Sequence, residues 1–116
     1  VDSFSYGVTN NGTGPALIKY AKVKNGSKYL KRWSDVKQFS EIRQSHINNR
    51  TLSPQNSITP LSYKGDNANA LRNIDDSITI ELCYCSVYED CWVIDRSNTP
   101  TPVESCLIDK TQAFLQ

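Results

Sequence analysis

Phe4, Tyr6 and Val8 alternate with Ser3, Ser5, Gly7 and Thr9, the period-2 pattern of a strand with one buried face. Asn10-Asn-Gly-Thr-Gly-Pro15 follows, dense in residues that accept positive φ or fix their own, and predicts a turn. Residues 16–24 predict a second strand, with Leu17, Ala21 and Val23 on one face and Ile18, Tyr20 and Lys22 on the other. Asn25-Gly26 predicts a type I′ turn, which needs φ > 0 at both central positions, leading into a short strand at Lys28–Leu30.

The period then changes. Trp33, Val36, Phe39 and Ile42 recur every three residues, with Ser34 placed to cap a first turn and Asp35 at its positive end. This predicts a helix over about residues 35–45, packing its Trp33/Val36/Phe39 stripe on the sheet. Polar and turn residues dominate from His46 to Asp76, interrupted by one short strand near residues 57–62 and a helical turn at 68–72. Residues 77–87 form the clearest strand: Ile78, Ile80, Leu82 and Tyr84 face one side, Thr79, Glu81, Cys83, Cys85 and Val87 the other. A tight turn at Tyr88-Glu-Asp90 returns into a strand at Cys91–Asp95. Thr99-Pro-Thr-Pro102 then precedes a last edge strand around residues 103–108. About seven short strands with a turn every eight to twelve residues, plus one crossover helix, predict a mainly-β antiparallel sandwich of immunoglobulin-like type.

At 116 residues the chain supports one domain with one hydrophobic core, spanning 1–116. A net charge of +1 argues against a nucleic-acid binder, but the charge is unevenly placed. Residues 1–65 hold ten Lys/Arg against three Asp/Glu, and residues 66–116 three against nine. Lys19, Lys22, Lys24, Lys28, Lys31 and Arg32 fall in one acid-free stretch, a candidate surface for an anionic partner unless the two halves neutralise each other in the fold. No apolar run reaches the length of a membrane span. The chain begins at Val1 and contains no Met, which reads as a processed segment whose export or anchoring piece has been removed.

The chemistry concentrates in four cysteines: Cys83, Cys85, Cys91 and Cys106. An even number of thiols so close together points to disulfides and an oxidising compartment. Cys83 and Cys85 emerge on one face of their strand, and a hairpin centred on Tyr88 sets Cys85 opposite Cys91. Of the three possible connectivities, Cys85–Cys91 with Cys83–Cys106 is therefore expected. A Cys₄ zinc site is the rival, although C-x-C on an extended strand suits it poorly. Redox catalysis ranks last, because no C-x-x-C opens a helix that would lower a thiol pKa.

Other candidates are weaker. His46, the lone histidine, sits in a polar segment and suits a capping or solvated role. The acidic pairs Asp75-Asp76 and Glu89-Asp90 read as turn residues. Three N-x-S/T sequons begin at Asn11, Asn25 and Asn49, and turn chemistry accounts for two of them. Tyr88 and Trp92 flank the hairpin tip and would form a recognition platform if exposed, or core if buried. No catalytic residue and no cofactor or metal site is expected.

Two segments carry a resemblance. Val8-Thr-Asn-Asn-Gly-Thr-Gly-Pro-Ala-Leu-Ile-Lys19 resembles the N-x-G-x-G-P-A-x-I strand-turn-strand of small bacterial proteins of unknown function that carry one transmembrane helix and a short extracytoplasmic β-domain. Cys83-Tyr-Cys-Ser-Val-Tyr-Glu-Asp-Cys-Trp92 is similar to their Y-C-S-x-Y-x-x-x-W segment, and Trp33 falls where such chains often keep a Trp. The resemblance implies a periplasmic or extracellular, membrane-anchored domain and brings no activity or site residues. Together these readings make the chain a non-catalytic binding module of the bacterial cell envelope whose partner is another envelope protein. The alternative is an accessory subunit of a secretion or surface-assembly machine. Cys85→Ala is expected to lower stability by roughly 2–4 kcal/mol; an unchanged melting temperature in differential scanning calorimetry would refute the disulfide.

Overall fold

A computed structural model describes residues 3–35, 43–44, 47, 50–64 and 68–115. The protein is mainly β, and among the described residues every strand pairing is antiparallel. Its strands are β1 (Ser3–Thr9), β2 (Ala16–Asn25), β3 (Lys28–Leu30), β4 (Arg43–Gln44), β5 (Thr51–Leu52), β6 (Ser57–Lys64), β7 (Ile78–Cys85), β8 (Cys91–Asp95) and β9 (Thr101–Val103). An α-helix, α1 (Ala68–Asp75), lies between β6 and β7. A small sheet runs β1-β6-β4, and a larger one runs β3-β2-β7-β8-β9 with β5 also bonded to β2.

Each sheet carries a bulge that sorts side chains into the core. In the small sheet Tyr6 opposes Leu61 while Val8 opposes Ile58, so β6 holds one extra residue there. Pro60 lies within that irregular stretch, where a missing backbone N–H costs least. In the large sheet Ile18 opposes Tyr84 and Tyr20 opposes Cys83, which leaves Lys19 as the extra residue of β2. Strict alternation along residues 16–24 is therefore broken. Ile18 joins Ala21 and Val23 in the core, and Leu17 does not share their face as expected. A bulge flips the faces of everything beyond it, and no periodicity count reveals where it falls.

The core is aromatic at its centre. Trp33 and Phe114 are 1% and 0% exposed. Their rings meet edge-on with centroids 4.8 Å apart, and Tyr6 lies 5.4 Å from Trp33 on another side. Phe114 also completes a backbone edge. The edge of β2 turned away from β7 is covered by β5 at one end and β3 at the other. Between them the Ile18 N–H donates to the Arg50 carbonyl, and the Phe114 N–H donates to the Ala21 carbonyl at 2.8 Å. The C-terminal stretch thus plugs a gap in the sheet with a backbone hydrogen bond and a ring.

Several expected elements shift. The hairpin turn between β2 and β3 is Gly26-Ser27 rather than Asn25-Gly26, with only Gly26 at positive φ (62°) among its central residues. Asn25 stays in the strand, opposite Ile78, and its side chain accepts from the Ser77 hydroxyl at 2.7 Å. The helix expected over about 35–45 is not what its described ends show. Trp33–Asp35 is a 3₁₀ turn, Arg43–Gln44 is β4 on the edge of β6, and residues 36–42 lie outside the described residues. Asp35 turns back to accept from the Lys31 and Arg32 N–H groups instead of capping onward. The helical turn at 68–72 extends to Asp75.

The last strand is short, and residues 104–109 leave it for a 3₁₀ turn at Lys110–Gln112. The Cys83–Cys106 bond explains the departure. Continuing in the plane of the sheet would keep Cys106 two strands away from Cys83, so the chain crosses the outer face to reach it. Phe114→Ala is expected to lower unfolding free energy by about 3–5 kcal/mol in urea titration, since it empties a core site beside Trp33.

Candidate functional site

The β7–β8 pairing defines two faces with different chemistry. Residues opposite each other on antiparallel strands point the same way. Leu82 with Ile94 and Tyr84 with Trp92 therefore face inward, and Cys83 with Val93 and Cys85 with Cys91 face outward. The sequence pattern places β7 correctly on both counts.

On the inner side, a cleft of about 710 Å³ opens between the β1–β2 loop and the face of β7–β8. Its apolar wall includes Val8, Ile18, Leu82 and Ile94, and Tyr84 stacks on Trp92 with centroids 5.6 Å apart. Burial raises the pKa of Tyr84 above the ordinary phenol value, so this wall stays uncharged. The opposite rim is Asn10, Asn11, Gly12 and Gly14. That rim is held by its own hydrogen bonds. Asn10 Oδ1 accepts from the Gly12 N–H at 2.9 Å, and Asn10 Nδ2 donates to the carbonyls of Gly14 and Leu52 at 2.9 and 3.0 Å. Gln55 Nε2 donates to the carbonyls of Asn11 and Gly12. The turn expected at residues 10–15 is therefore clamped against the β5–β6 connection.

A smaller cavity of about 330 Å³ shares Gly7, Val8, Thr9, Leu82, Ile94 and Asn98 with the cleft and reaches Trp33 and Phe114. Its mouth carries Asp95 and Arg96. Both make hydrogen bonds, and Arg96 is also ion-paired. Asp95 accepts from the Ser97 N–H at 2.8 Å. Arg96 donates to Asp75 Oδ2 at 2.9 Å and to the carbonyls of Asp75 and Ile78. Tyr6 donates to the other oxygen of Asp75 at 2.7 Å, and the Arg96 guanidinium lies 5.4 Å from the Tyr6 ring centroid.

This knot joins β1, the end of α1 and the residue after β8, so Asp75 is more than the turn former expected. Burial pushes the Asp75 carboxyl up, but the Arg96 and Tyr6 hydrogen bonds outweigh it and hold the group below its usual range. Tyr6 moves the other way: burial, then the hydrogen bond and charge of Asp75, keep its hydroxyl protonated.

The six basic residues do not converge. Lys22 pairs with Glu81 at 3.6 Å, and its amine sits 5.5 Å from the Tyr20 ring centroid. The Tyr20 hydroxyl donates to the same Glu81; burial, this bond and the carboxylate charge push its pKa up to about 12. Lys24 stands over Tyr29, 5.2 Å from its centroid. Arg32 pairs with Asp35 at 3.7 Å, and Lys28 lies close enough to help hold that carboxyl below its usual range. Lys19 is exposed at the β2 bulge and Lys31 is exposed after β3. None of the six lines either cavity. Tyr88 and Trp92 also part company: Tyr88 is 85% exposed at the tip, whereas Trp92 faces the cleft.

The outer side holds the sulfur. Cys83 is bonded to Cys106 and Cys85 to Cys91, with Cα separations of 5.6 and 4.0 Å. This is the expected connectivity, although Cys106 sits on the crossing segment rather than on a strand. The Cys85, Cys91 and Cys106 sulfurs lie within 4.8 Å of one another, a spacing that suits a soft metal, but all four thiols are spent in S–S bonds. His46 and Asn49 fall outside the described residues.

Comparison with known proteins supplies no relative: no family model, no curated protein and no solved structure matches the chain. Among the described residues no helix is long and apolar enough to cross a membrane.

Phe114 and Arg96 escaped the sequence reading. Phe114 carried a faint signal, an apolar Ala113-Phe-Leu115 run after a polar stretch. Arg96 carried none. The Asp75 knot has a pH signature. A carboxyl held below its ordinary pKa of 3.8 contributes stability that is complete above that value and is lost as pH falls through the lower folded one. Asp75→Asn is expected to cost about 1–2 kcal/mol near neutrality, at the modest end because Arg96 is partly exposed, and to flatten the acid limb of a urea-midpoint against pH profile.

Proposed function

We propose that this protein is a non-catalytic binding module of the bacterial cell envelope, an immunoglobulin-like sandwich that takes part of an envelope protein into the cleft beside the Tyr84–Trp92 stack. The observation that carries the reading is the cleft itself: concave, apolar on one wall, bordered by amides on the other, and preformed because its rim is hydrogen-bonded in place. Such a surface offers rigid aromatic area with little ordering cost, which is how binding sites gain affinity. Two disulfides favour an oxidising compartment, periplasmic or extracellular; membrane anchoring is supported only by the resemblance of residues 8–19 and 83–92.

The test places a photo-crosslinking amino acid at Asn11 on the rim or at Lys28 on the basic hairpin in the full-length protein, in its native envelope. A dominant adduct from position 11, weakened at least tenfold by Trp92→Ala, is expected. Adducts from position 28 alone, or from neither position, would overturn the assignment.

The rival reading, an assembly subunit, draws on β1: β6 is its only strand neighbour among the described residues. Sedimentation velocity separates the two. A monomer across the accessible concentration range supports the binding module, and a concentration-dependent series of multimers supports the assembly subunit.

A further inference from the structure

The two disulfides are in contact. Cys85 Sγ lies 3.6 Å from Cys106 Sγ although each is bonded to a different partner. Cys83 and Cys85 stand two residues apart on the same face of β7, so they present their sulfurs to Cys106 from successive outward positions of one strand. We propose that the four cysteines form a single thiol–disulfide exchange centre, in which Cys85 and Cys83 compete for Cys106 once the Cys85–Cys91 bond is opened by an external dithiol.

The Cys85–Cys91 bond closes the hairpin whose tip, Val87 to Asp90, is exposed; Cys85 and Cys91 are themselves 6% exposed and Cys83 0%, so the dithiol enters when that tip opens locally. A thiolate of the dithiol attacks Cys91 Sγ; a mixed disulfide forms there, and the Cys85–Cys91 bond breaks with its electron pair on Cys85. The second thiol of the reagent then displaces Cys91, which takes up a proton. The reagent leaves as its disulfide, having lost two electrons, and Cys85 and Cys91 have gained them.

In the next step the Cys85 thiolate attacks Cys106 Sγ. The Cys85–Cys106 bond forms, the Cys83–Cys106 bond breaks, and Cys83 leaves with the electron pair and is protonated. No net oxidation accompanies this step. It needs the 3.6 Å contact to close to the ~2.05 Å of an S–S bond, a movement of about 1.5 Å. The anchor of the crossing segment, which carries Cys106 and leads to Phe114, then moves from Cys83 to Cys85, two residues along β7.

Cys91→Ala isolates the second step, because it leaves Cys85 as a lone thiol beside the intact Cys83–Cys106 bond. The folded variant is held at about pH 8, where a thiol of ordinary pKa is partly ionised, then acid-quenched, alkylated under denaturing acidic conditions and peptide-mapped. Both Cys83–Cys106 and Cys85–Cys106 peptides are expected, with on the order of a tenth or more of the alkyl label on Cys83. Label confined to Cys85, with Cys83–Cys106 the only disulfide, would overturn the proposal.

Should the variant fail to fold, the wild-type protein treated with limiting dithiothreitol gives the same readout. One-disulfide molecules labelled at Cys83 and Cys91 support exchange, and molecules labelled only at Cys85 and Cys91 refute it.

Discussion

The register between β2 and β7 governs most of what this molecule presents to its surroundings. Tyr20 opposite Cys83 and Ala21 opposite Leu82 put the tyrosine and the sulfur on one side of the large sheet and aliphatic side chains on the other. The Lys19 bulge lets Ile18 rejoin the inner face after this alternation would have sent it out. Shifting the pairing by one residue would turn the cysteines toward the core and Leu82 toward water. The inner cleft and the outer disulfide cluster are two sides of that one ladder.

Among the described residues, the side chains that hold the small sheet against the large one are spread along the chain. Trp33 follows β3, Phe114 lies near the end of the chain, and Tyr6 is in β1, yet their rings form one contact group. The Tyr6–Asp75–Arg96 knot adds a polar clasp between the sheets beside them. Among the described residues, a three-stranded sheet beside a six-stranded one leaves part of the larger face uncovered. The cleft lies over such a part, where Trp92 and Ile94 are only half-buried.

The basic stretch illustrates why linear charge density is a poor guide to a surface. Six cations close together in sequence are distributed over a bulge, a strand face and a hairpin exit. Acids from both halves of the chain then reach them: Asp35 from nearby, Glu81 from β7. Partial neutralisation leaves the hairpin a scattered set of charges rather than a concave site. The cleft is the reverse case. Its residues come from β1, β2, β5, β7, β8 and the loops around them, and none is unusual in its local sequence.

By itself the sequence determined the mainly-β class, most strand positions, the two faces of β7 and the turn at residues 10–15; it left three disulfide connectivities open, and the fold chose Cys85–Cys91 with Cys83–Cys106. The features it did determine rest on local physics: side-chain alternation and the φ preferences of Gly and Asn. Only the tertiary structure decided where the bulges at Lys19 and near Pro60 fall, because a bulge is chosen by the partner strand. Tertiary contact also set the turn at Gly26-Ser27 rather than Asn25-Gly26, through the hold of Ser77 on Asn25. It drew Arg43–Gln44 onto β6, carried Cys106 out of the sheet to Cys83, and brought Phe114 to the open edge of β2. In each case two segments distant in sequence settle the outcome jointly, through hydrogen bonds or burial that neither segment encodes alone.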